Sequence, residues 1–82
     1  MRMRPSKDPQ TALGAVLREL REEKDDVTQR AIADKADLTY AHYCAIESGK
    51  ANPLWGTIRR IAKALDVTVT EIAKREEGQS AD

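Results

Sequence analysis

The sequence predicts an all-α fold, a compact bundle of five short helices. The chain has 82 residues, enough for one hydrophobic core and too few for two. It contains no Phe, one Trp and two Tyr, so the core must be built mainly from aliphatic side chains, which suit closely packed helices. Apolar residues recur three or four positions apart, and no alternating strand pattern competes with this spacing. A single helical domain follows.

The first two helices are marked by caps and by apolar periodicity. Asp8 and Pro9 fit an N-cap followed by proline at the first helical position, and the pattern runs to Lys24. Asp25-Asp26 interrupt it, and Thr28 is suited to cap a second helix. The apolar positions of the two helices are Leu13, Val16, Leu17 and Leu20, then Ile32, Ala33 and Ala36.

A short connection, Asp37-Leu38-Thr39, separates the second helix from a third that is expected from Tyr40 to Ser48. Asp37 tolerates the left-handed backbone conformation usually given to glycine, and Thr39 is suited to cap the third helix. Gly49 is expected to end this helix, because glycine adopts positive φ there without steric penalty.

Two more helices are expected after the Asn52-Pro53 turn. The apolar stripe of the fourth consists of Trp55, Ile58, Ile61, Ala62 and Leu65. Thr68 and Glu71 fit a capping box at the start of the fifth. We therefore expect a flexible basic segment at residues 1–8, the helical domain at 9–75 and a flexible polar tail at 76–82.

Composition excludes several classes of protein. Fourteen basic and fourteen acidic residues cancel, so the net charge favours no class of charged partner. A single cysteine provides neither an internal disulfide framework nor a cysteine-rich zinc site, which favours a reducing compartment. No apolar run is long enough to span a bilayer, and the N-terminus lacks the apolar core of a secretion signal. We expect a cytoplasmic protein without membrane contact, metal or cofactor.

The most specific pattern is the segment TQRAIADKADLTYAHYCAIESGKANP, residues 28–53, followed by IRRIAKALDVTVTEI, residues 58–72. These segments resemble the helix-turn-helix family of phage repressors, Cro proteins and their XRE-type bacterial relatives, over residues 11–73. The matching residues are Thr28-Gln29, Ile32-Ala33, Leu38, Ile46-Glu47, Gly49, Pro53 and the run from Ile61 to Leu65.

The resemblance implies a lambda-repressor-like bundle in which helices two and three form the helix-turn-helix. It further implies a transcriptional regulator that binds double-stranded DNA, with helix three in the major groove and a homodimer reading half-sites roughly 34 Å apart. No small-molecule effector is evident. The chain departs from the family at Asp37, where glycine is usual, and at Asp25-Asp26, where one residue is extra.

Four positions on or beside the first turns of helix three are placed to read bases: Thr39, Tyr40, Ala41 and Ala45. Family members often place Gln, Arg, Ser or Asn there. Tyr40 has one hydroxyl to donate, and the alanine methyl groups suit contact with thymine. We expect modest specificity from this helix and a larger contribution from DNA shape and dimer spacing. The alternative for Tyr40 is an exposed aromatic that covers the helix pair.

Phosphate contacts are expected from seven residues: Thr28, Gln29, His42, Lys50, Asn52, Arg59 and Arg60. The Thr28-Gln29 pair matches the family position where an amide and a backbone N–H hold a phosphate. A solvated surface residue is the competing interpretation for all of them. For Gln29 the pairing with Thr28 favours the phosphate contact, and for His42 the surface interpretation is favoured. By resemblance, Glu47 pairs with Arg21 and fixes helix one against helix three.

Two other functions compete with DNA binding. An enzyme needs convergent catalytic groups, and His42 and Cys44 are two apart on a helix and therefore diverge, so they cannot share one metal ion either. A protein-interaction or antitoxin-type module is the stronger rival, because Tyr40 and Trp55 provide apolar surface. In the fifth helix, Val67, Val69 and Ile72 either form a dimer interface or close the monomer core.

Overall fold

The computed structural model describes residues 9–80, with side chains for 11–78, and within this range it contains five helices and no strand. The helices are α1 (Pro9–Glu22), α2 (Gln29–Lys35), α3 (Tyr40–Glu47), α4 (Trp55–Ala64) and α5 (Val69–Ser80). The all-α, five-helix prediction is confirmed. The expected cap at Asp8 and the expected flexible segment at 1–8 lie outside the described residues.

Three helix ends differ from the sequence prediction. α3 ends at Glu47, with Ser48 as its C-cap, rather than at Ser48. α1 ends at Glu22 rather than Lys24. α5 extends to Ser80, so residues 76–80, which were expected in a flexible tail, are helical. Glu76 and Glu77 are good helix formers, and Gly78 lowers helix stability by about 1 kcal/mol without breaking the helix. The division of the chain into a domain with flexible ends stays a prediction.

Left-handed residues end or follow four of the helices. Asp26, Asp37 and Asp66 have φ of 58°, 61° and 61°, and Gly49 has φ of 82°. After three of these helices the next N–H bonds back to a carbonyl five residues earlier: Leu38 to Ala33 at 2.8 Å, Lys50 to Ala45 at 2.9 Å and Val67 to Ala62 at 3.0 Å. These are Schellman motifs, which satisfy carbonyl groups that the helix leaves free. Aspartate is tolerated there because it is one of the few residue types that visit this conformation.

Threonine side chains cap three helices. The Oγ1 atoms of Thr28, Thr39 and Thr68 accept from the N–H of Ala31, His42 and Glu71 at 3.0, 3.1 and 3.0 Å. Such a cap contributes about 1 kcal/mol. In a complete capping box the Glu71 carboxylate would accept from the backbone N–H of Thr68. Here it accepts instead from Nε of Arg75 at 2.9 Å.

The core combines residues from all five helices. Its buried members are Leu13, Val16, Leu17, Leu20, Ile32, Ala33, Ala36, Tyr43, Ile46, Ile61, Ala62, Leu65 and Ile72. Val67 and Val69 are partly buried against it, so this stretch of the chain contributes to the monomer core. Trp55 was expected in the apolar stripe of α4, but it is 60% exposed. Periodicity indicates the side of a helix, not how far along its axis the neighbouring helices extend.

α1 crosses the end of α3 at unusually short range. A Cβ atom on Gly14 would lie 2.5 Å from the carbonyl oxygens of both Ile46 and Glu47. Both obstacles are backbone atoms, which cannot rotate away as a side chain would. Glycine is therefore needed at this crossing because it lacks a Cβ atom.

A buried polar cluster joins the same helices. Glu47, whose side chain is 3% exposed, accepts from Arg21 Nε at 2.8 Å. Arg21 Nη2 lies 3.2 Å from the other carboxylate oxygen, which also accepts from Gln29 Nε2 at 3.0 Å. Arg21 Nη1 donates to the Val27 carbonyl at 3.3 Å. We call Arg21, Gln29 and Glu47 the Glu47 cluster; it binds α1, α2 and α3 together.

Tyr43 lies fully buried on the inner face of α3. Burial, and next the nearby Glu47 carboxylate, raise the pKa of its hydroxyl above the ordinary value. Within the described part of the chain this hydroxyl makes no hydrogen bond of ordinary geometry. The phenol therefore stays neutral and serves as packing beside the Glu47 cluster.

Near the same C-terminal end of α1, Arg75 of α5 pairs with Glu19, Glu23 and Glu71. The hydrogen bond from Arg75 lowers the pKa of the Glu23 carboxyl below its ordinary value. The carboxylates are half-exposed, so solvent weakens each pair. The network supports the position of α5 on α1 without a buried charge.

Gly14→Ala should destabilise the protein by about 2 kcal/mol in urea unfolding, because overpacking outweighs the gain in helix propensity. Gly56→Ala is the matched control, since a Cβ atom there has nothing within 4 Å. It should stabilise the protein by up to about 1 kcal/mol. Stabilisation by both substitutions would show that the α1–α3 crossing tolerates a methyl group.

Glu47→Ala should lower the free energy of unfolding by about 3 kcal/mol, because it leaves the largely buried guanidinium of Arg21, 15% exposed, without its carboxylate. The control is Glu22→Ala, which removes an i,i+4 pair with Arg18 whose side chains are 54% and 65% exposed. That change should cost about 0.5 kcal/mol or less. Equal losses for the two variants would contradict a structural role of the Glu47 cluster.

Candidate nucleic-acid interface

α2 and α3 form a helix-turn-helix whose turn is well determined by local chemistry. α2 ends in a Schellman motif at Asp37, Leu38 packs partly buried against the core, and Thr39 caps α3. The buried face of α3 consists of Tyr43, Ile46 and Glu47. The opposite face is therefore presented outward by a helix that cannot rotate without uncovering the core.

The expected base-reading residues lie at or near this outward edge. Tyr40 is 42% exposed, Thr39 and Ala41 are exposed, and Ala45, one turn further on, is half-buried. The Thr39 hydroxyl oxygen accepts the capping bond from His42, which leaves its proton free to donate outward. The structure thus brings Thr39, Tyr40 and Ala41 together and leaves Ala45 partly covered.

Arg30 is an addition that sequence reasoning missed. Its guanidinium carbon lies 4.4 Å from the centroid of the Tyr40 ring, which is cation–π geometry. At an exposed site such a contact is worth about 0.5–1 kcal/mol. Arg30 is the second residue of α2 and Tyr40 the first of α3, so the contact links the beginnings of the two helices. The only available signal was an arginine beside Gln29, which does not reveal its partner ten positions away.

Gln29 is turned partly inward. Its amide nitrogen donates to Glu47, and its amide oxygen lies 3.5 Å from the Cys44 thiol, which donates to it. One amide N–H and the backbone N–H at the start of α2 are left for an outside acceptor. Gln29 therefore combines a place in the Glu47 cluster with the edge of the outward surface, and Cys44 is held by packing and by this bond.

A surface depression of about 490 Å³ lies at the beginnings of α2 and α3. It is lined by Arg21, Val27, Thr28, Gln29, Arg30 and Tyr40. The lining contains no acidic residue, and of its two arginines Arg21 is paired with Glu47, so Arg30 provides the positive charge that is free for a ligand. The depression is suited in charge and chemistry to an anion such as a backbone phosphate.

The other expected phosphate contacts are more scattered. His42 and Lys50 are exposed on α3 and just after its end, and Arg59 and Arg60 are exposed on α4. Asn52 instead lines a groove of about 160 Å³ beside Trp55, Ile58 and Val69, towards α5. Among the described residues, no hydrogen bond or ion pair links Arg59 or Arg60 to the depression beside Tyr40.

Within residues 9–80, no group of three His, Cys, Asp or Glu side chains could hold a metal ion. No helix in the same range is long and apolar enough to cross a membrane.

Comparison with known proteins agrees with this geometry. The sequence profile of a family described as "Helix-turn-helix domain" matches residues 12–74. Control protein C.MunI from Mycoplasma sp is 34% identical over 65 residues, which cover 79% of this chain and 88% of that protein.

Solved structures with the same fold include the clp gene regulator ClgR from Corynebacterium glutamicum, with a TM-score of 0.89 and 25% identity. That match covers 96% of this chain and 100% of the other. The restriction-modification controller protein C.AhdI from Aeromonas hydrophila matches with a TM-score of 0.72 and 28% identity, over 77% of this chain and 94% of that one. Because the family profile covers residues 12–74 and a control protein is 34% identical, the chain belongs to the XRE-type helix-turn-helix family.

Proposed function

We propose that this protein is a sequence-specific DNA-binding transcriptional regulator that inserts the beginning of α3 into the major groove. The observation that carries the proposal is the outward edge formed by Thr39, Tyr40 and Ala41, on a helix whose other face is locked into the core. The beginning of a recognition helix is the part that meets base edges. Relatives described as a control protein and as regulators support the same role.

Phosphate contacts flank this edge in the proposal. Thr28, Gln29 and the depression that they line are suited to hold one phosphate, with further contacts from His42 on α3 and Lys50 just after its end. Asn52, Arg59 and Arg60 extend the contacts from the stretch between Lys50 and Lys63, which contains four basic residues and no acid. Contacts of this kind set the register of the protein on the duplex without reading sequence.

We further propose that the regulator is a homodimer that reads paired half-sites. One recognition helix covers too few base pairs for useful specificity. Leu54 and Trp55 are 80% and 60% exposed, and Trp55 borders the groove between α4 and α5. Leu54 and Trp55 are the large exposed apolar residues outside α3 in the described chain, and Val69 and Ile72 line the groove beside Trp55, so this face is the candidate surface for a second copy.

The second candidate function is a protein-interaction or antitoxin-type module, which the same exposed Leu54 and Trp55 favour. The two functions differ in their dependence on salt. A DNA binder releases counterions as it neutralises phosphates, so its affinity falls steeply as salt rises. An apolar protein interface responds little, so titration of a duplex across salt concentrations separates them.

Lys50→Ala and Arg59→Ala should each weaken binding to all duplexes alike and reduce the slope of log affinity against log salt by about 1. Fluorescence anisotropy with a labelled duplex measures both quantities. Lys35→Ala is the control, because it removes an exposed charge at the far end of α2 and should leave the slope unchanged. An unchanged slope for both test variants would reject the phosphate assignment.

Trp55→Ala should raise the dimer dissociation constant by about tenfold or more, because exposed tryptophans at an interface are frequent anchors of binding energy. Sedimentation equilibrium at micromolar concentration measures this constant, and far-UV circular dichroism checks that the helices persist. A wild-type protein that sediments as a monomer, or a variant dimer of unchanged stability, would contradict the proposed interface.

A further inference from the structure

The outward edge of α3 lacks a strong reader of bases. Tyr40 provides a single hydroxyl, and Ala41 and Ala45 provide only methyl groups. Strong discrimination in the major groove usually comes from side chains that make two hydrogen bonds to one base, such as arginine with guanine. A chain with this fold and no such residue on α3 needs a donor from another element.

Arg30 is placed to be that donor. Of the six arginines whose side chains are described, Arg18, Arg21 and Arg75 are paired with carboxylates. Arg30, Arg59 and Arg60 have no carboxylate partner among residues 11–78. Only Arg30 of these three stacks on a residue of α3, with its guanidinium 4.4 Å from the Tyr40 ring centroid.

The stacking leaves the hydrogen-bonding edge of the guanidinium available. A guanidinium over a ring uses its flat face, whereas its N–H groups point outward in the guanidinium plane. The ring of Tyr40 therefore restricts the orientation of this plane without consuming its donors. A guanidinium whose orientation is already restricted loses less conformational entropy on binding than one on a freely rotating side chain.

We propose that Arg30 is a specificity-determining residue that donates two hydrogen bonds to the edge of a guanine in the major groove, with Tyr40 as its positioning residue. The inference rests on the proposed function and deepens it. A guanine edge and a phosphate both accept a pair of such bonds. Guanine is favoured because the stack holds the guanidinium against the first residue of α3, where that helix enters the groove.

Selection of bound duplexes from a random pool tests this directly, with wild type, Arg30→Ala, Arg30→Lys and the Lys35→Ala control compared. Wild type and Lys35→Ala should share a guanine preference at one position of each half-site. Arg30→Ala should lose it by roughly 5- to 150-fold, the range for a bidentate contact, and Arg30→Lys should keep only part of it, because an ammonium can donate to guanine but lacks the planar pair of donors. Arg30→Lys keeps the charge but not the planar fork, so it should retain more overall affinity than Arg30→Ala.

Variants of Tyr40 test the positioning role. Tyr40→Phe keeps the ring and removes the hydroxyl, so the preference that depends on Arg30 should survive. Tyr40→Leu removes the ring, so that preference should fall, and combining it with Arg30→Ala should reduce it no further. Thermal unfolding of each variant checks that the fold is intact.

The possible outcomes are distinct. If wild type enriches no duplex, the proposed function fails and this inference fails with it. If wild type enriches sites and the Arg30 variants keep the guanine preference, only the inference fails. A loss of affinity that is equal for all sequences would also overturn it, because Arg30 would then contact phosphate rather than a base.

Discussion

The position of α3 depends on one buried carboxylate. Glu47, 3% exposed at its side chain, accepts hydrogen bonds from Arg21 of α1 and Gln29 of α2 while α3 itself carries it. A buried carboxylate is strongly unfavourable unless such partners satisfy it. The need to satisfy this carboxylate therefore constrains α1, α2 and α3 together. The close backbone approach of Gly14 to the end of α3 brings α1 and α3 near enough for Arg21 to reach Glu47.

This constraint explains how a small core can present a rigid edge. With Tyr43, Ile46 and Glu47 turned inward, Tyr40 and Ala41 have to face outward. Gln29 joins the buried Glu47 cluster to the protein surface. Its side-chain amide donates to Glu47, and its backbone begins α2 at the depression beside Tyr40. A phosphate bound there would be coupled through one side chain to the cluster that holds α3 in place.

Features determined by local chemistry were accessible from the sequence, and features determined by helix crossing were not. The caps at Thr28 and Thr39 and the left-handed Asp37 follow from neighbouring residues, and the structure shows them. The Arg21–Glu47 pair came from the family resemblance rather than from periodicity. The close approach at Gly14, the Arg30–Tyr40 stack and the outward Trp55 depend on how helices meet, which a one-dimensional pattern does not contain.

The central claim is that the beginnings of α2 and α3 together form the surface that meets DNA. Amide chemical shifts of ¹⁵N-labelled protein, followed during titration with a duplex taken from selection, test this most directly. The account predicts that the largest changes fall at residues 28–30 and 39–42, with smaller ones near residue 50. Changes confined to residues 54–58 and 69–76, with the beginning of α3 unaffected, would contradict it.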